Sequence, residues 1–302
     1  MENSDNKNMI GLALGSGAAF GMAHIGVLAV LEKEKIPIGV VSGASIGALI
    51  AAMWGIGLSA KEIENISSRL KIKLNIMRLL DFTFPISGIL AGKRLRRFLR
   101  AILGDRTFED LKIPVKIIVY DLANRETVTV DSGRLLDAVY KSIAVPGIFQ
   151  PIMEDGRMFV DGGIMDPVPV DALFKSGATK VIAVNALPGP RNIRERNAAL
   201  KEIEKEEENV IRQGSWDEKI SVHLTRFFRK IFTPNIFDVI MTSMQAMEYS
   251  LAEISCCKAD VSLHPVLSDA ASTDFHLVKK FVKIGEEETL RYIDKIRELT
   301  RK

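Results

Sequence analysis

Apolar and polar positions along the chain alternate between a strand-like and a helix-like rhythm. Met9–Leu14 is an apolar run of strand length, Gly15-Ser16-Gly17 interrupts it, and a helical pattern runs from Ala18 towards Lys33. Ile36–Ser42 then returns as a second strand. Strand, glycine turn, helix and strand in this compass form a βαβ unit, normally a right-handed crossover in a parallel sheet. Val40–Ala60, VVSGASIGALIAAMWGIGLSA, follows, and in it Gly43, Ser45 and Gly47 form a Gly-x-Ser-x-Gly pattern between a β-branched run and an apolar helical run. Small residues permit a sharp strand-to-helix turn that holds Ser45 at its apex.

The same rhythm continues with Val115–Tyr120 and Glu126–Val130 as strands, Gly133–Ser142 as a helix, and Arg157–Val160 as a short strand leading into Asp161-Gly162-Gly163. Ala144–Ile152, AVPGIFQPI, carries two prolines and a glycine and reads as an apolar loop. Val170–Ser176 reads as a helix and Lys180–Asn185 as a buried strand, so the α/β alternation spans about 9–188. Ala60–Arg100 reads as helical with a turn around Phe82–Gly92. Beyond residue 188 the pattern becomes mainly helical. Gly189–Gln213 is a charged helix or linker, Val222–Phe232 interleaves arginines with phenylalanines, and Ile236–Cys257 is a Met-rich amphipathic helix. Val261–Leu263 adds a strand and Glu286–Glu298 a terminal helix. The expected organisation is one α/β domain over 9–302, with its core at about 9–188 and a mainly helical part at about 189–302.

Composition narrows the classes of partner. With 47% hydrophobic and 26% charged residues the chain is globular, and a formal charge of +3 does not by itself point to nucleic acid. From Arg69 to Arg100, however, nine bases stand against one acid, Asp81, beside apolar Phe82, Phe84, Ile86 and Leu90. Either a solvated helix face or peripheral contact with an anionic membrane accounts for that patch, while no repeated aromatic stacking pattern supports DNA or RNA. Cys256 and Cys257 are adjacent, which does not suit a disulfide, so a reducing compartment fits best. The polar MENSDNKN start does not resemble a secretory signal. Val40–Ala60 is uncharged over twenty-one residues, yet its four glycines and β-branched opening fit strand, turn and helix better than a membrane span. A cytoplasmic location is expected, with peripheral contact at the inner face of the membrane as its extension.

Ser45 needs a positioned base to become a nucleophile. Four histidines are available, His24, His223, His264 and His276, and the order Ser45, Asp161, then a late histidine permits a triad without favouring it. Asp161 at a strand end before two glycines is the alternative base, although a carboxylate with an ordinary pKa near 3.9 needs a dry site. An acyl-transfer oxyanion would need backbone donors, which the Gly15–Ala19 loop could supply. A dinucleotide could use the same loop, but no acid follows the second strand at Val40-Val41-Ser42. No metal or cofactor is expected.

Taken together, LALGSGAAFGMAHIGVLAVLE at 12–32, SGASIGAL at 42–49, IAVPGIFQPI at 143–152 and DGGIMDPVPV at 161–170 resemble the bacterial patatin-like phospholipases of the short single-domain kind. The resemblance implies a three-layer α/β sandwich with a mostly parallel central sheet. It also implies a Ser45–Asp161 dyad without a catalytic histidine, and an oxyanion hole at Gly15, Gly17 and Ala18 with Ala19 beside them. The expected activity is cleavage of carboxylic esters in phospholipids or related lipids. Ala18 stands where the family often has glycine, which matters if that residue takes a positive φ. Phe20 stands where Arg or Lys is common, which removes a contact to lipid phosphate and suggests a more apolar substrate. Asp166 replaces a frequent asparagine and is assigned no role. The alternatives are a soluble carboxylesterase or thioesterase using the same dyad, separated by a panel of ester and thioester substrates, and a non-catalytic lipid-binding regulatory protein, whose Ser45 would resist fluorophosphonates.

Overall fold

The computed structural model describes residues 9–69, 92–213 and 236–301. Among them eight strands form one sheet: β1 (Ile10–Leu14), β2 (Ile38–Ala44), β3 (Val115–Asp121), β4 (Glu126–Val130), β5 (Ile152–Glu154), β6 (Arg157–Asp161), β7 (Lys180–Val184) and β8 (Val261–Leu263). The order is β5-β6-β3-β2-β1-β7-β8, with β4 also paired to β3. The strands β3, β2, β1, β7 and β8 run parallel, whereas β4, β5 and β6 pair antiparallel. The sheet is therefore mixed, with the expected parallel part extended at β3 by an antiparallel one.

The helices are α1 (Ala23–Lys33), α2 (Ile46–Gly55), α3 (Ala60–Ser68), α4 (Lys93–Leu103), α5 (Leu135–Ser142), α6 (Val170–Lys175), α7 (Pro190–Gln213), α8 (Ile236–Cys256), α9 (Val278–Arg291) and α10 (Ile293–Leu299). Ile10, Leu12 and Leu14 of β1 face a core shared with α1, α2, α5 and α9. Ala13 between them faces the other way, into a core with Val170 and Leu173 of α6 and Ala252 and Cys256 of α8. Helices on both faces bury both sides of the central strands, which is why these strands read as continuous apolar runs rather than alternating ones. No described helix is long and apolar enough to cross a membrane, and Val40–Ala60 is β2, a turn and α2.

Some boundaries differ from expectation for identifiable reasons. Ala18–Met22 is a 3-10 turn and the α-helix starts only at Ala23, because the chain leaves the glycine loop with positive φ at Gly17 and Ala18. The terminal helix begins at Val278 rather than Glu286, since Val278, Phe281 and Val282 already form a buried face, and it breaks at Tyr292 into α9 and α10. The stretch Val222–Phe232, and Lys71, Lys73, Arg78 and Asp81 of the basic patch, lie outside the described residues.

The register of β3 positions the site. One edge of β3 carries β4 along Ile117–Asp121, and the other edge is shared by two strands. There β2 pairs with Val115–Ile118 and ends with Ala44 opposite Ile118, while β6 pairs with Val119–Asp121 and ends with Asp161 opposite Val119. Thus β2 and β6 arrive from opposite directions and meet head to head at neighbouring residues of one strand. The antiparallel side is fastened by buried Asp121, whose carboxylate accepts from Arg157 Nε at 2.5 Å and from Asn124 Nδ2 at 2.7 Å. The Arg157 charge holds the Asp121 carboxyl well below the usual carboxylate range.

Candidate active site

Ser45 follows Ala44 at the β2 end of this junction and caps α2 with φ 55° and ψ −124°. A non-glycine residue there is strained by roughly 1–3 kcal/mol and persists only where its surroundings over-determine it. Two contacts do so. The Ser45 amide donates to Ser142 Oγ at 3.0 Å, and the Ser142 hydroxyl donates to the Ile118 carbonyl at 2.6 Å, so the end of α5 ties the turn to β3. The turn also brings α2 against β1: a Cβ on Gly47 would lie 2.1 Å from the Leu14 carbonyl oxygen. No side chain fits there, which is the physical content of the second glycine in the Gly-x-Ser-x-Gly pattern.

Asp161 closes β6 from the other side. Its amide donates to the Ala144 carbonyl at 3.0 Å, its Oδ1 accepts from the Gly163 amide at 2.7 Å, and its Oδ2 accepts from Ser45 Oγ at 2.5 Å. The last distance is in the range of a charge-assisted O–H···O bond. The carboxyl is 3% exposed, and burial pushes its pKa up to about 7, against the opposing hydrogen bonds from Ser45 and Gly163. A group that is a weak base in water thereby becomes an acceptor matched to neutral pH.

The histidines are elsewhere. His24 is fully buried, its Nε2 donates to the Gly15 carbonyl at 2.8 Å, and burial lowers its pKa to about 4. Neutral His24 thus braces the glycine loop. His264 Nδ1 lies 3.5 Å from Glu253 and His276 Nδ1 lies 3.8 Å from Asp274. Among the described residues none bonds to Ser45 or Asp161, and His223 lies outside them.

The four loop positions expected to supply oxyanion donors divide into two pairs. The Gly15 amide donates to the Val184 carbonyl and the Ala19 amide to the Ser272 carbonyl, each at 3.0 Å, so both are spent on holding the loop. Among the described residues the amides of Gly17 and Ala18 have no partner. Ala18 has φ 50°, the positive value at which its Cβ is a cost. Phe20 is 3% exposed and packs edge-on against Phe281 at 5.7 Å, so standing where the family often has a cation it adds to the core. Asp166 lies off the dyad, pushed up to about 6 by burial and by Asp171. Among the described residues no group of three or more His, Cys, Asp or Glu could hold a metal ion.

Two residues at the site were invisible to motif reading. Ser142 ends an apolar helix 97 residues from Ser45, with no local signal beyond a small polar residue before a Pro-containing loop. Glu248 lies within a helix whose methionines suggested core packing, yet it is 9% exposed, and burial with the Asp161 charge pushes its carboxyl up to about 8. In the basic patch, Arg96 pairs with Asp137 and Arg100 with Asp105, which offsets part of the local positive charge.

Comparison with known proteins gives a family. A family model described as patatin-like phospholipase matches residues 12–174, a span that contains Ser45, Asp161 and the glycine loop. An uncharacterized NTE family protein of Mycobacterium bovis is 36% identical over 176 residues, covering 58% of this chain and 48% of that protein. Neuropathy target esterase sws of Drosophila melanogaster is 32% identical over 185 residues, covering 59% of this chain and 13% of that protein. The chain therefore spans about half or less of the length of these relatives. The crystal structure of VipD from Legionella pneumophila aligns over 95% of this chain and 66% of its own at 14% identity, with a TM-score of 0.46, too low to support a fold argument.

Proposed function

This chain belongs to the patatin-like phospholipase family, and from that premise we propose that it is a serine acyl hydrolase that cleaves carboxylic ester bonds of phospholipids or related lipids through a Ser45–Asp161 dyad. The observation that carries the reading is the 2.5 Å hydrogen bond from Ser45 Oγ to a buried carboxylate, made at a strained turn.

In the acylation step Asp161 Oδ2 takes the Ser45 proton as Oγ bonds to the ester carbonyl carbon. The carbonyl oxygen becomes an oxyanion, which the Gly17 and Ala18 amides stabilise. The tetrahedral intermediate collapses by breaking the bond to the leaving alcohol, whose oxygen takes the proton back from Asp161. Water then loses a proton to Asp161, adds to the acyl carbon, and displaces Ser45 Oγ, which is reprotonated. Every step uses one proton acceptor, so no histidine is required. The half-buried apolar residues Val145, Ile148 and Phe149, in the loop whose Ala144 carbonyl holds Asp161, form a suitable wall for an acyl chain. The basic residues of the 69–100 stretch are the proposed peripheral contact with an anionic membrane, which should weaken as salt rises.

The test is hydrolysis of a phospholipid and short-ester panel by wild type, S45A and D161N, with fluorophosphonate labelling and a check of folding. Wild type should turn over ester and label at Ser45, and both variants should lose at least about 10²-fold. Folded wild type that neither labels nor turns over any ester would refute the enzyme and leave the lipid-binding alternative.

A further inference from the structure

Ser16 sits in the middle of the glycine loop. Its amide donates to the Pro167 carbonyl at 2.8 Å, and its hydroxyl is enclosed without a hydrogen bond of regular geometry. Its placement is marked by Gly163, where a Cβ would lie 2.8 Å from Ser16 Cβ, 3.1 Å from Ser16 Oγ and 3.0 Å from Asp161 Oδ1. Ser16 and the Asp161 carboxyl therefore flank the same side of Gly163. From the far side comes α8, which packs against Gly162–Ile164 and directs Glu248 inward, close enough to feel both the Ser16 hydroxyl and the Asp161 charge. The mechanism above does not use this carboxyl.

We propose that Glu248 is a positioning residue, which clamps α8 to the glycine loop through Ser16 and so keeps the free loop amides and Asp161 in register. The proposal rests on the acyl-hydrolase reading of the dyad. A neutral carboxyl offers one donor and acceptor capacity, and can satisfy a buried hydroxyl that otherwise has no partner. A carboxylate in the same place is opposed by the Asp161 charge. Burial and the Asp161 charge push the Glu248 carboxyl up to about 8, with the Ser16 hydroxyl opposing. Other charged groups also flank α8. Asp171 pairs with Lys258 at 2.6 Å, Glu253 accepts from Asn185 at 2.7 Å and lies 3.5 Å from His264, and Asp166 follows the Asp161 turn.

Rising pH therefore acts in sequence. Asp161 loses its proton near 7 and becomes the base, while Glu248 is still neutral and the clamp is closed. Above about 8 both are ionised, like charges face each other, and the clamp opens.

Two readouts test this: the pH profile of kcat on p-nitrophenyl butyrate, and hydrogen exchange of amides in the glycine loop and α8, corrected for intrinsic rates. Wild type should lose about tenfold in kcat by pH 9, one unit above the Glu248 midpoint, and protection should fall with it. E248Q keeps the hydrogen bonds without the charge. It should stay within about threefold of wild type at pH 7.5, with activity and protection sustained to pH 9. E248A should lose activity and loop protection at both pH values. E248A with the wild-type profile and exchange would overturn the proposal, as would an E248Q that falls with E248A. Should wild type fail to label or turn over, the hydrolase reading fails instead, and exchange alone still decides whether Glu248 is a clamp.

Discussion

Replacing Ser142 by alanine tests the junction on which the site is built. One hydroxyl accepts from the Ser45 amide at 3.0 Å and donates to the Ile118 carbonyl at 2.6 Å, and Ser142 itself is fully buried. Its removal orphans both a donor and an acceptor, each worth about 1–3 kcal/mol when left unsatisfied in the interior. The space vacated by one oxygen is too small to admit a replacement water without rearrangement. S142A should therefore lose about 2–6 kcal/mol, a large part of the roughly 5–15 kcal/mol that holds a domain together. Urea unfolding at pH 7 reads this as a lower midpoint at unchanged slope. The Ser45 turn also loses the tie that fixes its strained backbone, so fluorophosphonate labelling should slow by about ten- to hundredfold, in line with the cost of small misplacements of reacting groups. Ser176→Ala, which removes a half-exposed bond to the Ala172 carbonyl at 2.7 Å, is the control and should cost under about 1 kcal/mol. The reasoning fails if S142A unfolds within about 0.5 kcal/mol of wild type and labels at the same rate.

Because native Asp161 keeps its proton to about pH 7 and an unfolded aspartate loses it near 4, the native chain binds more protons in that window, and this group's contribution to stability falls as pH rises. Asp161→Asn removes the penalty, and should be inactive yet gain on wild type by on the order of 2–4 kcal/mol between pH 4 and 8; urea unfolding at both ends would show no such trend if burial were not the cause. Labelling of wild-type Ser45 should rise with pH through about 7, and a flat profile across that range would dissociate Asp161 from proton removal. Ala18→Gly relieves the positive φ without removing the amide, so stability should rise by about 0.5–1 kcal/mol with turnover kept, both read on one preparation. His264→Gln and His276→Gln should each retain most ester hydrolysis, and a folded variant of either that lost it would revive the triad.

How much of this could be read from the chain depends on the distance over which each feature is encoded. The Ser45 turn is local: a β-branched run, two glycines and an apolar helix fall within one short stretch, and the contact of Gly47 with β1 shows why those residues are small. Asp161 is visible for a similar reason, as an acid closing a short strand before two glycines. Their meeting is not local. It depends on β6 turning back antiparallel along an edge of β3 that β2 has already partly filled, and periodicity does not specify strand order. The loop donors were legible only as a group, because Val184 and Ser272, which occupy two of the amides, come from distant parts of the chain. Glu248 illustrates the same limit, since one glutamate in an amphipathic helix reads as a solvated position until the helix is placed.

On the proposed mechanism, the head-to-head arrangement would let a carboxylate do work more often given to an imidazole. An aspartate in water, with a pKa near 3.9, holds a proton too weakly to draw one from serine. Two strand ends abutting on β3 enclose Asp161 with, among the described residues, the Ser45 hydroxyl and the Gly163 amide as hydrogen-bond partners of its carboxyl, and this desolvation brings its proton affinity up to about 7. A loop-borne aspartate with the same two contacts would be free to turn towards solvent and would fall back towards its ordinary value. On the proposed mechanism the rigidity of the junction would be part of the chemistry: Ser142 at the seam and Asp121 with Arg157 behind β6 would help keep Asp161 in its buried place without touching substrate.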